Sequence, residues 1–295
     1  MSADNVWVVG DGYMKIRSEV KTFMKRMLRR LRCKARDMLE MTRVLRYVYA
    51  GNNVVQSQHG KIIVSINDKQ LGFFRAILRK RSSDFAVFRQ VYIQREQGVL
   101  VEKIVRDNEK DDVRYIIDAG AYTGYTCIYF KRMFPQAKIV AVEPESNNYA
   151  LLLDNIRLNA LEDIVALNRG LWVDDAGLEI TRELGDGRDW SAAVKASQAR
   201  VPILRGIAMK EIMYTYQLPY IDILKIDIEG AEWSIFDNHE HLATFLPLVR
   251  YLAMEIHEEV HAKEKICKLL KDFHFEYFFY QELIIGYNTK FNKPR

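Results

Sequence analysis

The chain has 295 residues, 49% of them apolar, and a net charge of +5. That length and apolar share exclude a disordered chain and allow one large domain, or one domain with an appendage. Three cysteines, Cys33, Cys127 and Cys267, are too few and too scattered for a disulfide framework and lack zinc-ligand spacing, which points to a reducing compartment. No run of about 18 apolar residues and no signal-peptide pattern is present. The expectation is a cytoplasmic protein, at most peripheral to the inner face of a membrane.

Residues 1–52 read as a basic amphipathic helical extension. From Lys15 to Arg46 about twelve basic residues face Glu19, Asp37 and Glu40, so the arm is about +9 and the rest of the chain about −4. Its apolar residues (Ile16, Val20, Phe23, Met24, Met27, Leu28, Leu31, Ala35, Met38, Leu39 and Leu45) step by three and four, as one helix face requires. Gly51-Asn52-Asn53 is a suitable end. Such a helix can lie on its own domain, pair with a second copy in a homo-oligomer, or contact an anionic membrane surface through Lys15–Arg46. Nucleic acid is not expected as a partner.

Residues 53–112 read as a lead-in packing on the core. Val54 to Ile66 is rich in β-branched residues and turns at His59-Gly60, which predicts a hairpin. Leu71 to Lys80 is expected to be a short helix. Ser82 to Gln97 predicts a helix capped by Ser83 or Asp84, with Phe85, Phe88, Val91 and Tyr92 inward. Val99 to Val105 fits a strand or the start of a helix, and Asp107 to Asp112 a charged linker.

Residues 113–290 carry an α/β pattern. Tyr115-Ile116-Ile117 is a strand buried on both faces, and Asp118 closes it. Gly120 and Gly124 bracket a tight turn, and Tyr125 to Phe134 is a helix stopped by Pro135. Strands follow at Ala137–Glu143 and Ile164–Leu171, separated by a helix from Ser146 to Asn159 with Ser146 as its cap. Tyr149, Leu152, Leu153 and Ile156 are expected on that helix's inner face. Asp174–Gly177 turns the chain into a hairpin with Leu178–Arg182, and Glu183 to Lys210 is expected to be irregular. Ile221–Asp227 is a fourth strand, followed by a helix to about Leu246, and Val249–Ile256 a fifth. Val260–Asp272 is a helix; Phe275–Tyr280 and Glu282–Tyr287 form a closing hairpin.

Four strand ends therefore carry acids: Asp118, Glu143, Asp227 and Glu255. In a parallel sheet all carboxyl ends lie on one edge, so these residues should meet in the fold. Glu143 closes the second strand, where a carboxylate can accept both hydroxyls of a ribose. Gly120 and Gly124 do not give the Gly-x-Gly-x-x-Gly spacing that passes a pyrophosphate. Asp118 would repel phosphate and attract an ammonium.

The motifs Asp118-Ala-Gly-Ala-Tyr-Thr-Gly124, Val142-Glu143-Pro144, Lys225-Ile-Asp-Ile-Glu-Gly-Ala-Glu232 and Glu255-Ile256-His257 together resemble those of the FkbM family of S-adenosylmethionine-dependent methyltransferases. The resemblance covers roughly residues 83–287, with Lys225–Glu232 its most specific block. It implies a Rossmann-like class I methyltransferase sheet of seven strands, mostly parallel with an antiparallel last strand. It also implies methylation of a hydroxyl on a carbohydrate, glycolipid or related natural product. By the same resemblance Asp118, Gly120, Tyr122 and Gly124 would shape the methionine end. Glu143 with Pro144 would hold the ribose, and Asn168 to Leu171 would approach the adenine. Asp227, Glu229, Glu255 and His257 would face the acceptor.

Methyl transfer to a hydroxyl needs alignment and a base. His257 is the first candidate, because an unperturbed imidazole titrates near neutrality; Asp227 is the second. Asp227, Glu229 and Glu255 could instead hold Mg²⁺, though no metal is the favoured reading. Lys225, inside a buried strand pattern, also reads as a structural partner of a carboxylate, and Glu229 as a turn-holding residue. Trp172, Trp190 and Trp233 read as core or as contacts to adenine or acceptor. The alternatives to the methyltransferase are an NAD(P)-dependent oxidoreductase on a related sheet and a non-enzymatic module using the basic helix.

Overall fold

The computed structural model describes residues 35–51, 54–181, 193–199, 202, 204–257 and 260–293. Most of the basic arm, and Trp190, lie outside them. Residues 35–50 form helix α1. It docks through Val44 and Val48, both fully buried, and through Glu40, which accepts from Arg89 Nε at 2.6 Å. Burying each of the two valines contributes about 1.5–3 kcal/mol.

The lead-in begins with an antiparallel sheet of β1 (Val54–Gln58), β2 (Lys61–Asp68) and β3 (Gly72–Arg79). The short helix expected over Leu71–Lys80 is thus a strand. Phe74, Ala76 and Leu78 alternate into the core, and β3 pairs with β2 along its whole length. The chain then forms α2 (Asp84–Phe88), a π-helical turn (Arg89–Ile93) and α3 (Gly98–Arg106), so Val99–Val105 is helical. Phe85, Phe88, Val91 and Tyr92 are buried as expected. Neither Ser83 nor Asp84 supplies a side-chain cap. Ser82 Oγ accepts from the Asp84 N–H at 3.1 Å, and the Asp84 carboxylate turns to Arg79 instead.

After β4 (Tyr115–Ala119) come α4 (Tyr125–Met133), β5 (Lys138–Val142), α5 (Ser146–Leu158) and β6 (Ile164–Leu167). Glu145, not Ser146, caps α5, accepting from the Asn148 N–H at 2.8 Å. On the inner side of α5 Leu151, Leu152 and Asn155 are buried, while Leu153 is half-buried. The third strand ends earlier than expected. Gly170–Leu171 is β7 and belongs to a second sheet with β8 (Gly177–Thr181), β9 (Ala193–Ala196) and β10 (Leu204–Ile207), in the order β7-β10-β8-β9. The expected hairpin of β8 on the third strand does not form, because β8 pairs with β9 and β10.

Next are α6 (Met209–Thr215), β11 (Ile221–Ile226), α7 (Glu232–Phe236) and α8 (His239–Ala243). The single helix expected after Asp227 is therefore broken, and Asn238 caps the second piece by accepting from the His241 N–H at 2.9 Å. The chain closes with β12 (Val249–Glu255), α9 (Val260–Asp272), β13 (Phe275–Tyr280) and β14 (Leu283–Asn288).

The central sheet has seven strands in the order β13-β14-β12-β11-β4-β5-β6. β14 runs antiparallel between β13 and β12, while β12, β11, β4, β5 and β6 are mutually parallel. This is the Rossmann-like class I arrangement with an antiparallel last strand. The lead-in is continuous with the core of one sheet face. Phe74 stacks on Tyr92 at 4.5 Å, and Phe88 meets Tyr125 of α4 edge-on at 5.8 Å. Asn155 of α5 ties the two together, accepting from the Ile77 N–H and donating to the Thr123 carbonyl, both at 2.8 Å. Among the described residues no helix is long and apolar enough to cross a membrane.

Candidate active site

Because β4, β5, β11 and β12 run parallel, the residues that follow or end them share one edge. The turn after β4 passes directly over the chain leaving β11. A Cβ on Gly120, which has φ +77°, would lie 1.7 Å from the Asp227 carbonyl oxygen, so only glycine fits. Tyr122 (φ 50°) and Glu229 (φ 59°) also hold left-handed backbone there.

A cavity of about 590 Å³ opens along this edge. Of the residues predicted from sequence, Gly120, Tyr122, Glu143, Pro144, Leu171, Asp227, Glu229, Glu255 and His257 line it. Asp118, Gly124 and Asn168 do not. Gly124 is the left-handed cap of α4, pressed against Leu152. Asn168 donates from Nδ2 to the carbonyls of Glu143 and Pro144, at 2.9 and 3.0 Å, and props the loop after β5.

Asp118 departs furthest from expectation. It is fully buried, accepts from Cys127 Sγ at 3.3 Å and pairs with Lys225 Nζ at 3.4 Å. Burial lifts its carboxyl above the ordinary range although Lys225 pulls the other way. Lys225 Nζ also donates to the Gly120 carbonyl at 2.7 Å and lies 3.3 Å from Asp227. Burial opposes the Lys225 charge, but Asp227 and Asp118 together hold the ammonium above its usual range. The cation that meets Asp118 is therefore internal. Lys225, not Asp118, reaches the cavity.

Glu143 is 4% exposed and accepts from the N–H groups of Tyr122 and Glu145, each at 2.9 Å, and from Asn148 Nδ2 at 3.3 Å. Burial pushes its carboxyl up to about 7.

His257 lies among four carboxylates. Its Nδ1 is 3.0 Å from Glu232, and its Nε2 is 3.1 Å from Glu255, 3.7 Å from Glu229 and 3.8 Å from Asp227. Burial disfavours the charged ring, but hydrogen bonds to Glu232 and Glu255 and the charges of Asp227 and Glu229 win, pushing it up to about 12. Such a ring is an imidazolium with both nitrogens donating, so the expected role of His257 as proton acceptor does not fit its surroundings. Burial, then Asp227, lifts the Glu229 carboxyl well above the usual range, and burial likewise raises Glu255.

For a metal, the side chains whose ligand atoms converge within 4.8 Å are Asp227, Glu229 and His257, with His257 where Glu255 was expected. Two further carboxylates take part. Glu232 is fully buried and holds the imidazole from behind. Glu96, from the lead-in, lines the cavity and is pushed up to about 7 by burial and then by Glu255 and Asp227. Glu232 stands inside the Lys225–Glu232 block and was legible as part of it; nothing in the sequence marks Glu96.

S-adenosylmethionine fits this donor set. Glu143 would offer a carboxylate to a ribose, the glycine turn would let a ligand approach the backbone, and α4 begins beside the cavity. The acidic wall suits a cofactor bearing a sulfonium and an ammonium.

The Methyltransferase FkbM domain matches residues 118–277. Methyltransferase sdnD of Sordaria araneosa is 30% identical over 197 residues, covering 54% of this chain and 72% of that protein. Methyltransferase 1 of Beauveria bassiana is 24% identical over 192 residues, 53% of this chain and 77% of that protein. Among solved structures, the precorrin-6Y C5,15-methyltransferase of Geobacter metallireducens aligns with a TM-score of 0.39 and 11% identity over 64% of this chain and 84% of that one, a likeness too loose to carry weight. The match over more than half of the chain, on the very edge where the acids converge, makes this protein a member of the FkbM family of S-adenosylmethionine-dependent methyltransferases.

Proposed function

We propose that this methyltransferase alkylates a hydroxyl of a hydroxyl-rich acceptor, a carbohydrate, a glycolipid or a related natural product, by in-line displacement. The reading rests above all on the acidic wall of the cavity. Asp227, Glu229 and Glu255 gather there around the His257 imidazolium, with Glu96 nearby. Carboxylates accept hydrogen bonds and protons, which suits hydroxyl donors. Family membership displaces the oxidoreductase and the non-enzymatic alternatives.

When bound, the cofactor supplies an electrophilic methyl carbon on sulfur. The protein's share is binding, alignment and proton removal. Glu143 accepts the ribose hydroxyls. Lys225 pins the Gly120 carbonyl and so fixes the turn beside the methionine end. One of the two carboxylates that line this wall after β11, Asp227 or Glu229, takes the acceptor's proton, and a positioned base is worth about 10²–10⁴-fold. His257 orients Glu255 and Glu229 and offsets their mutual repulsion. No Mg²⁺ is needed in this scheme.

The test is incubation with methyl-labelled S-adenosylmethionine and a panel of sugars, glycolipids and natural products that offer hydroxyl, amino and activated carbon nucleophiles, with products read by NMR. A labelled methyl ether is the expected product. Label found only on nitrogen or carbon, across acceptors offering all three, would overturn the reading.

A further inference from the structure

The lead-in reaches the cofactor wall from outside the matched stretch. At the end of β3, Arg79 Nη2 donates to Asp84 Oδ1 at 2.7 Å, to Tyr122 OH at 3.1 Å and to Asn148 Oδ1 at 2.9 Å. The Arg79 backbone N–H and Nε both donate to Asp84 Oδ2, at 2.6 and 3.0 Å. Tyr122 OH donates in turn to Asp84 Oδ1 at 2.7 Å, and the guanidinium sits 5.6 Å from the centre of the Tyr122 ring. Asp84 is fully buried, Asn148 1% exposed and Tyr122 8% exposed.

From Arg79 two routes run to the two oxygens of one carboxylate. Tyr122, whose phenol is clamped by Asp84, gives its backbone N–H to Glu143 Oε2 at 2.9 Å. Asn148, whose amide oxygen is held by Arg79, turns its Nδ2 to Glu143 Oε1 at 3.3 Å. The amide orientation follows from this network, since only one way round lets Asn148 accept from Arg79 and donate to Glu143. Glu143 cannot rotate without losing both routes, and Tyr122 cannot leave its φ of 50° without moving its phenol off Asp84.

We infer that Arg79 and Asp84 are positioning residues for the nucleoside half of the cofactor, fixing the Glu143 carboxylate through Tyr122 and Asn148. The inference rests on the ribose role proposed for Glu143. It gives the lead-in a task in cofactor binding beyond packing. A carboxylate preset by buried, charge-assisted hydrogen bonds does not have to be ordered when the ribose arrives.

Calorimetry on the full chain tests this with two probes, S-adenosylhomocysteine and methylthioadenosine, which lacks the amino-acid part. Arg79→Lys keeps a charge for Asp84 but cannot span the same acceptors, and Tyr122→Phe removes only the phenol oxygen. Both should fold, as circular dichroism would report, and both should weaken the two ligands alike, by about tenfold. Glu143→Gln should weaken both further, and adding Arg79→Lys to it should cost little more, because the two act on one contact. A residue that only stabilises the fold would lower the melting temperature and leave both affinities unchanged. Wild-type affinity in Arg79→Lys and Tyr122→Phe would overturn this inference alone. A loss confined to S-adenosylhomocysteine, or one undiminished in the Glu143→Gln background, would do the same. Wild-type affinity in Glu143→Gln would overturn it together with the ribose role.

Discussion

Glu232 stands 3.0 Å from His257 Nδ1 and is wholly buried at the start of α7. The same carboxylate accepts from the backbone N–H groups of Ile228 and Gly230, at 3.3 and 3.0 Å. One side chain therefore closes the turn after β11 and aims the imidazolium at Glu255. Glu232→Gln keeps the shape and removes the charge. It should cost about 1–3 kcal/mol of stability in urea unfolding, since a buried donor loses its charged partner. Turnover should fall by about 10²-fold, because the ring and its carboxylates lose their mutual register. Turnover at the wild-type rate would show that Glu232 serves the turn alone.

The His257 ring gives stability a pH slope. Its proton affinity in the folded chain, near 12, lies far above the ordinary value of about 6.5. A raised value stabilises the fold fully below the unfolded value and loses that contribution as pH climbs toward the folded one. The melting temperature should therefore decline from about pH 7 upward, and His257→Gln should flatten the decline. Differential scanning calorimetry at stepped pH would measure this. An equally steep decline in His257→Gln would place the effect elsewhere.

Cofactor affinity should titrate with Glu143. Burial pushes its carboxyl up to about 7. Once ionised, it accepts on both oxygens; protonated, it must donate from one of them. Calorimetric affinity for S-adenosylhomocysteine should rise between about pH 6 and 8, and Glu143→Gln should show no such rise. A wild-type profile that is flat across this range would remove Glu143 from the ribose contact.

How much of this was written in the sequence varies by residue for identifiable reasons. Glu143, Asp227 and Glu255 meet on one edge because parallel strands with buried apolar runs leave little freedom about where their ends go. Helix α9 falls where its apolar periodicity puts it, and the closing hairpin where two runs rich in aromatic and β-branched residues meet. Strand β3 looks helical in sequence because Phe73-Phe74 and Ala76-Ile77-Leu78 cluster their apolar residues, which hides the alternation of Phe74, Ala76 and Leu78. Strands β7, β9 and β10 have only two to four residues each, too few for any period to register. In the site, the sequence around Asp118 suggests an incoming ammonium because its charge is local and visible. The lysine that satisfies it arrives from β11, 107 positions away, and only register brings Lys225 opposite it. The free imidazole value suggests a base at His257, yet Glu232 and Asp227 reach the ring from beyond another strand end and favour its charged form.

Metal dependence follows from the same charge. Asp227, Glu229 and His257 could bring ligand atoms within 4.8 Å, but an imidazolium repels a cation and must lose its proton to bind one. Methyl transfer measured with and without a chelator should show equal rates. A loss that Mg²⁺ restores would make His257 a neutral ligand and move proton removal to a metal-bound acceptor.

The pair of Asp118 and Lys225 offers the sharpest test of the edge as a whole. Asp118 is fully buried and Lys225 4% exposed, so neither charge has water to fall back on. Lys225→Met keeps the volume and strands the carboxylate, which typically costs about 3–5 kcal/mol. Because burial already raises the Asp118 carboxyl, the stranded group can escape by taking a proton. The loss, read by urea unfolding, should therefore be smaller at pH 5 than at pH 8. Asp118→Asn in the same chain should recover part of it at pH 8, since a neutral amide no longer needs the ammonium. The Gly120 carbonyl would still lack its donor, so cofactor affinity should stay low in the double variant even where stability returns. Equal losses at the two pH values, or full return of affinity with stability, would mean that Lys225 does not link Asp118 to the glycine turn.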